Sequence, residues 1–224
     1  MNGRTANGRT TTRRDFLRES ATYMGLAIAG SSLVGALAAC SNDVAEPGDR
    51  ITIDLSNEKG AVNFVYALLQ LEADMYYRAD NNQYTGITSA EESVLQGGWI
   101  SVRYSSGIPD FKTIQPAGRI SDVLLFNFDN VNFWDRTSVL TTCQTVQEAT
   151  ANAYAGIGGL LSTPATASKI SDIAAAAASR ATAIRSALGL GAFTVTPLAP
   201  AAAMAIVKPY YRTNITLLNA GAIG

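Results

Sequence analysis

The 18 Asp and Glu side chains are the groups of this chain that could do chemistry. Gathered in a dry core, such groups hold a hard divalent cation. Histidine is absent from all 224 residues. Its absence removes the commonest metal ligand and the commonest general base, and every Ser-His or Cys-His nucleophile with them. The cysteines, Cys40 and Cys143, are too few for a disulfide framework. Cys143 reads as a small buried hydrophobe. Tyr76, Tyr77, Tyr154, Tyr210 and Tyr211 read as amphipathic side chains at a core edge. Gly156, Gly158 and Gly159 follow no strand, so they form no phosphate-binding loop, and they read as sites of close helix packing.

The elements that must position these groups are helical. Apolar residues at Val62, Val65, Tyr66, Leu69, Met75 and Tyr76 recur at spacings of three and four, which predicts a first helix from Ser56 or Asn57 to about residue 80. Thr88 to Glu91 forms a capping box with Ile87 as its staple, opening a second helix that runs past Val102 and stops before Pro109. The Gly97-Gly98 pair inside it marks a kink or a close helix contact. Residues 110 to 134 form a long connection, with Val123 to Phe128 as an extended segment. Asp135 caps a third helix over 137–161, ended by Pro164. A fourth covers 167–188 and is ended by Gly189, and a short helix spans 200–207. Four long helices with one long crossover between the second and third make an all-α bundle.

The N-terminus reads as an address. Thr12-Arg-Arg-Asp-Phe-Leu-Arg18 resembles a twin-arginine export signal, with Arg13, Arg14, Phe16 and Leu17 as its motif residues. A Gly/Ala-rich apolar stretch of about 15 to 18 residues follows, short of the roughly 20 that a spanning helix needs. Leu37-Ala-Ala-Cys40 resembles a lipobox, so residues 1–39 are expected to be a signal peptide and Cys40 to be acylated. Ser41 stands where an Asp would favour inner-membrane retention. The expected location is therefore the outer membrane, on its periplasmic face or at the cell surface. Residues 40–51 form an acidic tether, 52–207 the bundle and 208–224 a tail. The whole chain carries 17 bases and 18 acids. Residues 1–39 hold five arginines and two of the acids, leaving 12 bases against 16 acids. That balance gives no reason to expect a nucleic-acid partner.

Val62-Asn-Phe-Val-Tyr-Ala-Leu-Leu-Gln-Leu-Glu72-Ala-Asp-Met-Tyr-Tyr77 resembles the first helix of secreted ferritin-like proteins, a family that includes the desiccation-related plant proteins. Phe128 to Asp135 is similar to the lead-in to their third helix. Ala153-Tyr-Ala-Gly156 is similar to a motif within that helix, and Arg180-Ala-Thr-Ala-Ile-Arg185 to the end of their fourth-helix motif. The resemblance implies a ferritin-like bundle. Its di-metal centre would take a Glu from each of two helices and Glu-x-x-His from each of the other two.

Here that ligand set is largely missing. The resemblance places ligand positions at Leu69, at Gln147 or Glu148, at Ala177 and at Arg180. The second helix offers only Ile100-Ser-Val-Arg-Tyr-Ser-Ser106. Any arginine at the old site, Arg103 or Arg180, is expected either to pair with a carboxylate such as Glu72 or Glu148 or to swing out to solvent. The resulting expectation is a structural or partner-binding module with no cofactor and no catalytic residues. Its partners would be the membrane, through the N-terminal lipid, and a related ferritin-like protein. The alternative is an iron- or manganese-binding oxidoreductase or storage protein in envelope stress protection, with Glu72, Asp74 and Glu148 as residual ligands.

Overall fold

A computed structural model describes residues 50–105, 107–114 and 118–220. The signal motif, Cys40 and tether residues 40–49 lie outside them. Strand β1 (Ile51–Asp54) leads into helix α1 (Glu58–Asn81) and helix α2 (Ser89–Ile100). A π-helical turn (Ser101–Ser105) and helix α3 (Ile108–Ile114) follow. Beyond the crossover come helix α4 (Arg136–Gly156), helix α5 (Pro164–Ala187), helix α6 (Pro200–Val207) and strand β2 (Ile215–Leu218). The described residues make a predominantly helical bundle, as the periodicity predicts. Among them no helix is long and apolar enough to cross a membrane.

Helix α1 is the axle of the bundle. Every residue from Gly60 to Ala73 is buried, so the helix is enclosed on all sides. Its N-cap is Asn57, whose side chain accepts from the Gly60 N–H at 3.0 Å. Enclosure requires partners for its polar side chains. The Asn63 side chain donates to the Gly118 carbonyl (3.2 Å), and that of Gln70 to the Ser121 carbonyl (2.9 Å). Gln70 Oε1 in turn accepts from the Leu124 N–H. Tyr66 stacks on Phe111 with ring centroids 3.9 Å apart. Two carboxamides and an aromatic pair thus strap the crossover onto the axle.

Several boundaries differ from the sequence reading. The connection after Pro109 begins with a helix, α3, in which Pro109 sits at the second position and gives up no needed N–H. Pro164 does not end α4. That helix stops at Gly156, and Pro164 opens α5 in the first-turn position that proline tolerates. The Ser162 and Thr163 N–H groups at this start donate to Glu58 Oε2 at 2.7 and 2.8 Å, so α1 caps α5. Residues 208–220 are no loose tail. They form a 3-10 turn (Lys208–Tyr210) and strand β2, which pairs in parallel with β1, Ile51 opposite Ile215 and Asp54 opposite Leu218. The Tyr211 hydroxyl also donates to the Ala67 carbonyl of α1 at 2.9 Å.

The glycines divide. A Cβ on Gly98 would lie 2.5 Å from the Tyr76 ring, so this residue is the close α1–α2 contact, while Gly97 faces open space. Gly156 is the close contact of α4, since its Cβ would lie 1.9 Å from the Leu198 carbonyl oxygen. Gly158 and Gly159 face open space and allow no tight packing, contrary to the sequence reading. They belong to a 3-10 turn beyond the helix.

Candidate functional site

The buried polar centre is built from four helical segments. Glu72 is wholly buried on α1, one turn after Leu69, which is also fully buried. Tyr76 follows on the same face one turn later. Helix α4 supplies Gln147, Thr150 and Tyr154, spaced so that all three point inward. Helix α5 supplies Arg180, one turn after the buried Ala177. The π-helical turn brings Ser101 to the edge of the cluster. Such turns interrupt α-helices where a side chain must be re-aimed.

The guanidinium of Arg180 is the hub. Nη2 donates to Glu72 Oε2 at 2.7 Å, Nη1 to Ser101 Oγ at 3.0 Å, and Nε to Gln147 Oε1 at 3.2 Å. Side-chain exposure is 10% at Arg180 and nil at Glu72. The other Glu72 oxygen accepts from the Tyr154 hydroxyl at 2.7 Å. Gln147 Oε1 also accepts from the Tyr76 hydroxyl at 2.8 Å. A buried charge is tolerable only when paired and hydrogen-bonded, and both carboxylate oxygens and all three guanidinium nitrogens have partners here.

The electrostatics follow from burial. Burial is the largest single influence on Arg180 and opposes its charge, but the Glu72 carboxylate, the Tyr76 and Tyr154 phenols and the hydrogen bond to Glu72 together outweigh it, and the guanidinium pKa lies above its ordinary value. Burial pushes the Tyr154 phenol well up, and the Glu72 charge pushes it further. Burial likewise pushes up Tyr76. Both phenols therefore stay protonated and act as donors. Cys143 is buried and reduced, and desolvation pushes its thiol up to about 12, which leaves almost no thiolate at neutral pH.

The sequence-predicted residues separate into two groups. Glu72, Gln147 and Arg180 come together, and Leu69 and Ala177 lie in the core on the same helices. Asp74 and Glu148 do not join them. Asp74 points away from Glu72 and accepts from Arg78 Nε at 2.6 Å. Glu148 accepts from Arg185 Nη1 at 2.8 Å and from Gln144. Arg103 is exposed. Each residual carboxylate thus carries its own guanidinium, and among the described residues no three His, Cys, Asp or Glu side chains gather as a metal site would require. Four groups in the centre were not singled out as site residues: Tyr76, Tyr154, Ser101 and Thr150. The signal for Tyr76 is its spacing of four from Glu72, and for Tyr154 its spacing of seven from Gln147.

The donor set does not fit a pair of divalent cations. Two such ions carry four positive charges, and this centre offers one carboxylate already neutralised by a guanidinium. The phenols, carboxamide and hydroxyls add no negative charge.

Residues 111–190 match the family model described as a ferritin-like domain. The matched span holds α4 and α5, with Gln147, Tyr154 and Arg180, while α1 and Glu72 precede it. No curated protein and no solved structure matches the chain.

Proposed function

We propose that this chain is an exported, lipid-anchored protein built on a ferritin-like bundle, in which a buried Glu72–Arg180 ion pair stands in place of a di-metal centre. It works as a structural or partner-binding module. The observation that carries this reading is the full occupation of Glu72, by Arg180 on one oxygen and Tyr154 on the other. On this reading Leu69, Ala177 and Gln147 are ligand positions that have lost their carboxylates, and Arg180 supplies the positive charge internally. A cation in the protein's own covalent structure cannot be exchanged or cycled between oxidation states, so the centre holds helices together without turning over substrate.

The export signal at Arg13 and Arg14 and the acylation of Cys40 belong to the same reading. They set the protein on the periplasmic side of the envelope, tethered to the outer membrane. A related ferritin-like protein is the proposed partner. Its test is pull-down from membranes, where recovery of a lone monomer counts against it.

The test of the chemistry is ferrous-iron and peroxide turnover by the purified protein beside its Glu72→Gln variant. Both should be indistinguishable from buffer. Turnover that depends on added iron and vanishes in Glu72→Gln would support the metal-binding alternative instead.

A further inference from the structure

We propose that helix α6 and the start of β2 form a face that docks on an anionic phospholipid surface, with the outer side of α6 in the headgroup layer and Lys208, Arg212 and Arg50 on the lipid phosphates. Helix α6 contains no polar side chain. Ala203, Met204 and Val207 turn to the core, and Ala201, Ala202, Ala205 and Ile206 turn outward, with Ile206 42% exposed. A surface helix ordinarily carries charged or polar residues on its outer face. The uncharged run is longer than the helix. It reaches from Ser186 to Val207, and its Leu190 and Val195 are exposed as well.

The charges stand at the end of this run. Lys208 keeps helical backbone angles, so its spacing of seven from Ala201 and three from Ala205 sets it on the outward face. A cavity of about 220 Å³ lies between it and Arg212, with Met204 and Ile215 as apolar walls and Asn214 on the rim. The pair of Arg212 with Asp129 is open to water on both sides and therefore weak. Arg50 is exposed and precedes Ile51, whose N–H donates to the Asn214 carbonyl at 2.9 Å. Lys208 and Arg50 make no ion pair among the described residues. An outward apolar face bordered by bases is the arrangement of a helix lying in a headgroup layer, where buried apolar area and attraction to anionic lipid add. Phosphates directly above acyl chains match both parts, and the cavity admits one phosphate between Lys208 and Arg212. Acylation of Cys40, proposed above, strengthens the docking: Arg50 follows it by ten residues, a reach of at most about 35 Å, so the lipid holds this face close to the headgroups. Docking then fixes how the bundle stands on the membrane.

Fluorescence quenching tests this on the full chain carrying Cys40→Ser and Ala202→Cys, which cannot be acylated and has one reactive thiol, because Cys143 is buried. An environment-sensitive dye on residue 202 is titrated with vesicles whose acyl chains are brominated, so that only a dye within the bilayer is quenched. Mixed phosphatidylglycerol and phosphatidylcholine vesicles should quench it, and phosphatidylcholine vesicles alone should not. Adding Lys208→Glu and Arg50→Glu should weaken the quenching titration at least about twentyfold, while circular dichroism keeps its helical signal. An unquenched dye overturns the proposal, as does quenching that is equal with the two vesicles or indifferent to the charge reversals. A dye shift that needs no vesicles and fades on dilution also overturns it, because a second copy would then cover the face. The mass of the unaltered chain purified from membranes reports acylation of Cys40 separately, so failure of the anchor and failure of the docking face are told apart.

Discussion

At the residue scale the question is what a buried guanidinium does to stability. Removing one partner of a buried pair strands the other charge, at a cost of about 3–5 kcal/mol. Arg180→Met should therefore unfold at markedly lower denaturant than the parent. The double variant Glu72→Leu/Arg180→Met should recover most of the loss, because no charge is left to strand. Urea melts of the four members of the cycle measure this, and additive losses would mean that the pair is not coupled. The Glu58 cap has a different signature. Hydrogen bonding from Ser162, with Thr166 and the Thr163 backbone, outweighs partial burial and holds this carboxyl at about 2 against 4.5. A depressed acid contributes stability that is full above its unfolded pKa and lost as pH falls through its folded one. The loss should lie between about pH 4.5 and 2, and Glu58→Gln should flatten stability across that window in acid titrations followed by circular dichroism. Burial keeps Cys143 from reacting with thiol reagents until the protein is unfolded. Arg180's need for a carboxylate was legible in the sequence, because a guanidinium on an inward register cannot stay alone. The tyrosines were harder to assign, since a phenol on a bundle helix serves equally at a core edge or at a buried carboxylate, and only the opposing helix decides.

At the element scale, contrasting glycines test the packing. Gly98→Ala drives a methyl group into the Tyr76 ring, whose hydroxyl bonds Gln147, so the damage reaches the polar centre. It should cost about 1–3 kcal/mol in thermal melts. Gly97→Ala meets nothing within 4 Å and should stabilise α2 by up to about 1 kcal/mol. Equal effects at the two positions would contradict the placement of α2. Helices α1, α4 and α5 were legible because their periods run over five or more turns, and the shorter α2 because its capping box announces it; the caps Asn57, Thr88 with Glu91, and Asp135 carry the expected residues. Helix α3 was not, because seven residues beginning Ile-Pro leave too short a pattern beside the proline. The strands were hidden for a different reason. Each has four residues, and the partner of Ile51 lies 164 positions away, so no local pattern announces the pairing.

At the scale of the whole molecule, the helices are closed by the two strands that flank them in the chain. Strand β2 covers β1, Tyr211 bonds the axle helix, and the crossover is strapped by Asn63 and Gln70. Truncation after Val207 exposes the Ile51 and Ile53 side chains and removes Ile215, a loss on the order of 5 kcal/mol from apolar burial alone. The truncated chain should melt far below the full one, and an unchanged midpoint would show that residues 208–224 are dispensable after all.

The central claim is that Arg180 occupies, as a fixed internal cation, the place that metal ions hold in di-metal ferritin-like bundles. Metal content of the protein purified from cells grown in iron- and manganese-supplemented medium tests it most directly. The account predicts far less than one bound ion per chain, unchanged in Glu72→Gln. About two tightly held ions per chain, lost in that variant, would contradict it.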